Sequence, residues 1–153
     1  MGIESEKLSV QEMVAEYRDN VDDIAKFLPW LEQKNGENLM ISFKPENWGN
    51  TVAIPRYDAT LLNFIKTLEN SGRINRNYDY VYKRYKIYDE EDEISLTHRA
   101  TIKDMDMLYA ILSKYVINGR TKGAVWKRGV ENGVYLEVVR KMKELIEFWT
   151  MPL

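Results

Sequence analysis

TIKDMDMLYAILSKYVINGRTKGAVWKRGVENGVYLEVVRKMKELIEFW, residues 101–149, decides the fold class. Thr101 and Asp104 stand at the spacing of a capping box, in which a hydroxyl takes an amide of the first turn and the carboxylate reaches back. Met105, Leu108, Tyr109, Ile111, Leu112, Tyr115 and Val116 then recur at three- and four-residue steps, the stripe of an amphipathic helix, which Asn118-Gly119 stops. A second helix is expected over about 121–131, stopped by Asn132-Gly133. A third, from about 134 to 149, carries Tyr135, Val138, Val139, Met142, Leu145, Ile146 and Trp149 on one face.

Upstream the pattern is again helical. Ser9 and Glu12 have capping-box spacing, and Val10, Met13, Val14, Tyr17, Val21, Ile24, Phe27, Leu28 and Leu31 continue one stripe. Pro29 has no amide hydrogen and must kink that helix or start a fresh turn, with an end near Asn35-Gly36. Residues 37–57 are the least helical part. Leu39, Ile41 and Phe43 alternate there and Pro45 to Asn50 is turn material, which predicts a short β-hairpin or an ordered loop near 38–55. Asp58 reads as an N-cap for a helix with Leu61, Leu62, Phe64, Ile65 and Leu68 on one face, ended by Ser71-Gly72. Over 78–88, five apolar or tyrosine positions fit a helical stripe against three that alternate, which favours helix over strand. The fold class is therefore mainly α: one domain over 1–153 with about five to six helices, residues 1–7 set apart as a tail, and a basic helical block over 114–149.

Composition narrows the function. The 153 residues are 44% apolar and 30% charged and contain no cysteine, which removes disulfides, thiolate catalysis and zinc sites that use sulfur. His98 is the only histidine. No apolar run approaches the ~18 residues of a transmembrane span, and the first residues have no apolar signal core, so a cytoplasmic location without membrane contact is expected. Phosphate-loop, dinucleotide, nucleophile-elbow and HExxH motifs do not occur, so the reading leans away from an enzyme and implies neither metal nor cofactor. The alternative is a small carboxylate- or His-dependent hydrolase of unassigned substrate.

Charge is placed unevenly. Residues 1–72 hold seven bases and twelve acids, residues 73–153 fifteen and twelve, with Asp89 to Glu93 read as an acidic loop. From 114 to 143, eight Lys or Arg face only Glu131 and Glu137, and a segment of like charge needs acids from elsewhere in the fold or from a partner. On the last helix Glu137-Lys141, Arg140-Glu144 and Lys143-Glu147 fall at the spacing of intrahelical ion pairs. That leaves Lys114, Arg120, Lys122, Lys127 and Arg128 as candidate polyanion contacts, with Trp126 and Tyr135 as candidate stacking aromatics, opposite nucleic acid or an acidic protein. The free amides of a helix starting at Thr121 would also suit one anion. A helix over 78–88 exposing Tyr80, Arg84 and Ile87 would offer a further interface.

The block Asn118-Gly119-Arg120, Gly123-Ala124, Glu131-Asn132-Gly133 and Val138-Val139-Arg140-Lys141-Met142 resembles the end of a bacterial family of small helical domains of unknown function. The helix from Tyr57 to Leu68 and the patch Asn77-Tyr78-Asp79-Tyr80 are similar to it as well, so the likeness spans roughly residues 20–148. Thr121 stands where that pattern carries an aromatic. The resemblance implies a mostly helical fold and supplies no activity, cofactor or catalytic residue.

Overall fold

Eight α-helices make up most of the computed structural model, which describes the backbone of residues 3–34, 40–43 and 54–150 and the side chains of 10–34 and 58–150. They are α1 (Ile3–Ala25), α2 (Leu28–Lys34), α3 (Ala59–Asn70), α4 (Tyr78–Tyr85), α5 (Glu90–Arg99), α6 (Met105–Gly119), α7 (Ala124–Glu131) and α8 (Val134–Thr150). The protein is mainly helical as expected, with more helices than five to six because two segments divide or reassign. Pro29 falls in the first turn of α2, where a missing amide hydrogen costs nothing, so the N-terminal stripe splits into α1 and α2. The run 89–93 is not a loop. Asp89 caps α5, taking the Asp92 amide at 2.8 Å, and Glu90 to Glu93 fill its first turn, where the helix dipole favours carboxylates.

Other boundaries follow their caps. The Asp58 carboxylate takes the Thr60 amide at 2.7 Å, and Gly72 turns the chain with φ of 73°. Thr101 and Asp104 form the expected capping box, around a single 3₁₀ turn, Ile102–Asp104, that leads into α6. Gly133 reverses the chain between α7 and α8 with φ of 81°. At the N-terminus, α1 starts at Ile3, ahead of the Ser9 capping signal, and takes in residues 3–7 of the segment set apart as a tail, since nothing from Ile3 to Leu8 breaks a helix. Strands β1 (Met40–Phe43) and β2 (Ile54–Tyr57) pair antiparallel, Met40 opposite Tyr57 and Phe43 opposite Ile54. The Asn35-Gly36 stop and the turn from Pro45 to Asn50 lie outside the described residues.

Helix α6 is the axis of the molecule. Its stripe suggests one buried face, yet Met105, Met107, Leu108, Tyr109, Ala110, Ile111, Leu112, Ser113, Tyr115 and Val116 are all buried, because α3, α4, α7 and α8 pack around it. Buried Ser113 answers to two backbones, donating to Tyr109 O at 2.6 Å and accepting the Asn75 amide at 2.8 Å, which ties the approach to α4 onto α6. The most extensive helix contact joins α1 to α8, the first and last helices described. At the centre, Tyr135 of α8 is fully buried, tilted against Phe64 and edge-on to Tyr115. Gly129 of α7 makes room for it, since a Cβ there would lie 2.2 Å from the Tyr135 ring.

Candidate functional site

The basic cluster expected on the C-terminal block is largely neutralised from within. Arg128 makes a two-pronged pair with Glu90, Nε to Oε1 at 2.9 Å and Nη2 to Oε2 at 2.8 Å, and its guanidinium holds the Glu90 carboxyl below the usual range. Arg120 meets Glu69 of α3 at 3.1 Å, Lys127 meets Glu131 at 2.8 Å, and Lys114 lies 3.7 Å from Glu93. Of the five, only Lys122 makes no ion pair among the described residues. The aromatics are committed too. Tyr135 has no exposed face, and the half-buried Trp126 ring covers Gly119 while its Nε1 donates to Val116 O at 3.0 Å. Because α7 starts at Ala124 behind Gly123, Thr121 belongs to the preceding turn and the Lys122 amide is already bound to Asn118 O, so no helix start exists there to seat an anion. On α8, Lys143 pairs with Glu147 as expected, whereas Arg140 turns to Glu137 and to Glu32 of α2.

Sequence reasoning missed the buried acid opposite Lys114. Glu93 is fully buried, and its carboxylate accepts from the Tyr82 hydroxyl and, at 2.7 Å, from the Tyr115 hydroxyl. Tyr115 in turn accepts from Asn132 Nδ2 at 2.9 Å, and the Lys114 ammonium caps the Tyr82 ring 4.9 Å from its centre. Burial, then the facing carboxylate, pushes both phenols well above their ordinary value, so they stay protonated and donate. The network pins α5 to α4 and α6. Within a run of five acids nothing marks Glu93, but its spacing to Thr97 and Ala100, both buried, shares the inner face of α5.

Shallow clefts are also present among the described residues. One of about 190 Å³ lies where His98 Nε2 meets Glu137 Oε2 at 2.9 Å, beside Arg140, Lys141 and Glu144. The carboxylate comes from α8, so the sequence around His98 gave no sign of it. Its lining has no side-chain hydroxyl to serve as a nucleophile activated by His98. Another, of about 340 Å³, lies between the end of α1 with Lys26 and Phe27 and the end of α3. Its groups are engaged with each other, Asn20 with Ser71 O at 3.2 Å and Lys26 with Asp23 at 3.2 Å. Among the described residues no three acidic or histidine side chains are grouped to hold a metal ion, and no described helix is long and apolar enough to cross a membrane.

Among the described residues, an uncompensated positive surface lies on α4 and its flanks. Residues 73–88 carry Arg73, Arg76, Lys83, Arg84 and Lys86 against the single acid Asp79. Arg73 is held by Glu16 at 2.8 Å and Arg84 by Asp106 at 2.7 Å. Arg76, Lys83 and Lys86 are exposed and make no ion pair among the described residues. The inner face of α4 buries Val81 and Tyr82 against α6, with Tyr78 accepting from Asn118 Nδ2 at 3.1 Å, which turns Tyr80 and Lys83 outward. Tyr80 is 77% exposed. Ile87 does not join this face: Lys86 adopts a left-handed φ of 58°, which ends the helix and folds Ile87 back into the core.

No protein-family model matches the chain, and neither the curated proteins nor the solved structures yield a match. The likeness to a bacterial family of unknown function rests on its residues alone.

Proposed function

We propose that the protein is a non-enzymatic binding module for an anionic partner, and that α4 with its flanks, rather than the C-terminal basic block, is the contact surface. One observation carries this reading: Arg76, Lys83 and Lys86 stand exposed and unneutralised around an outward Tyr80, while four of the five C-terminal cations are already held by acids of the same chain. Cations that keep their full field attract an anionic partner and steer its approach; cations in short ion pairs present a dipole whose field decays quickly.

Binding to heparin and to polyglutamate is measured across a salt series for the wild type, Arg76→Glu/Lys83→Glu and Arg120→Glu. The expected result is binding that weakens with salt, is lost in the α4 double variant and survives in Arg120→Glu. Loss in Arg120→Glu alone would return the site to the C-terminal block.

A further inference from the structure

The surface on α4 has a feature that charge alone does not need: an almost fully exposed tyrosine set within its cations. Tyr80 lies three residues before Lys83, so the two are neighbours on one helix face, with Arg76 before the helix and Lys86 at its end. The Tyr80 ring makes no ring contact and its hydroxyl no hydrogen bond among the described residues, whereas Tyr78, Tyr82 and Tyr85 are all engaged. An exposed ring flanked by free ammonium and guanidinium groups matches the two repeating parts of a nucleic acid strand, a flat base and a phosphate. Resting on the anionic-partner reading above, we infer that the partner is single-stranded nucleic acid, with Tyr80 stacking on a base and Arg76 and Lys83 meeting the flanking phosphates.

Single strands suit this surface better than a duplex. A duplex keeps its bases stacked inside and would offer Tyr80 only a groove edge, whereas an unpaired base is free to lie on the ring. Just beyond the helix, the Asp89 carboxylate caps α5 by taking the Asp92 amide, and the Asp92 carboxylate takes the Tyr88 amide at 2.9 Å. These carboxylates repel a rigid polyphosphate rod, which cannot bend away, more than a flexible strand that leaves the surface after a few nucleotides. An acidic peptide would use the cations and leave the ring idle.

The roles of ring and cations separate experimentally. A short fluorescein-labelled oligouridylate, an abasic strand of the same length and polyglutamate are titrated against the wild type, Tyr80→Ala, Tyr80→Phe and Lys83→Ala over a salt series, with circular dichroism checking that each variant is folded. Tyr80→Ala is expected to weaken oligouridylate binding roughly fivefold or more, with Tyr80→Phe restoring most of it. The salt slope should be unchanged in Tyr80→Ala and reduced by about 0.7 in Lys83→Ala, the value for one phosphate contact on a single strand. The abasic strand should bind the wild type and Tyr80→Ala alike. Equal binding of oligouridylate, abasic strand and polyglutamate, indifferent to Tyr80, would overturn the nucleic-acid inference and leave the anionic-partner reading standing. No binding of any polyanion at low salt would overturn both.

Discussion

Replacing Glu93 by alanine tests the account of how α5 is held. The side chain is fully buried and accepts hydrogen bonds from Tyr82 and Tyr115. A hydrogen bond to a charged group contributes about 1.5–3 kcal/mol, and a buried donor left without a partner costs about 1–3 kcal/mol. Tyr115 keeps its contact with Asn132, and the Lys114 ammonium, 41% exposed, returns to water, so both soften the loss. Glu93→Ala should therefore destabilise the protein by about 3–5 kcal/mol, in line with breaking a buried polar network. With a urea m-value of about 2 kcal/mol/M, the unfolding midpoint read by circular dichroism should fall by about 2 M. Glu93→Gln, which keeps one acceptor, should cost less. Glu93→Met in a Tyr82→Phe/Tyr115→Phe background should recover most of the stability, because neither phenol donor is then stranded and only the half-buried Asn132 amide loses an acceptor. A loss below about 1 kcal/mol for Glu93→Ala would refute the claim that this acid anchors α5.

Gly129→Ala would drive a Cβ to 2.2 Å from the fully buried Tyr135 ring, and should cost about 3 kcal/mol or prevent soluble expression, as read by thermal melting. Arg128→Ala removes a pair whose members are 52% and 44% exposed, so its stability loss should stay under about 1 kcal/mol in a urea titration. Burial raises the phenols of Tyr17, Tyr82, Tyr85, Tyr109, Tyr115 and Tyr135 above their ordinary value of about 10. The folded state therefore holds their protons more tightly than the unfolded chain does. Stability from this source is intact below pH of about 10 and declines as pH rises further, so tyrosinate absorbance should rise together with loss of helical circular dichroism.

Helices and their caps were legible because they are local: Asp58, Thr101 and the Asn132-Gly133 stop act over a few residues, and the stripes on α3, α6 and α8 repeat often enough to override noise, although α6 runs through Asn118-Gly119 to cap at Arg120. The acidic run misled for an equally local reason, since carboxylates in a first turn read as a solvated loop unless the cap at Asp89 is noticed. Charge pairing was legible only within one helix. Lys143-Glu147 follows from spacing, but Arg128-Glu90, Arg120-Glu69 and His98-Glu137 join residues 38, 51 and 39 positions apart, and only the packing brings them together. The outward Tyr80 was visible in the helical pattern; that its cations lack partners was not, because it depends on which distant acids are already taken.

The pairing of α1 with α8 has a consequence for synthesis in the cell. On a ribosome adding about 5–20 residues per second, the roughly 110 residues between the two helices take on the order of 5–20 s to appear. For that interval the apolar side of α1, with Val10, Val14, Val21 and Ile24, lacks its main cover, and the nascent chain is an obvious client for a holding chaperone. Closure of the two helices is thus the late, non-local event of folding, and slowing translation ahead of codon 134 should raise the yield of chaperone-bound chains without altering the finished protein.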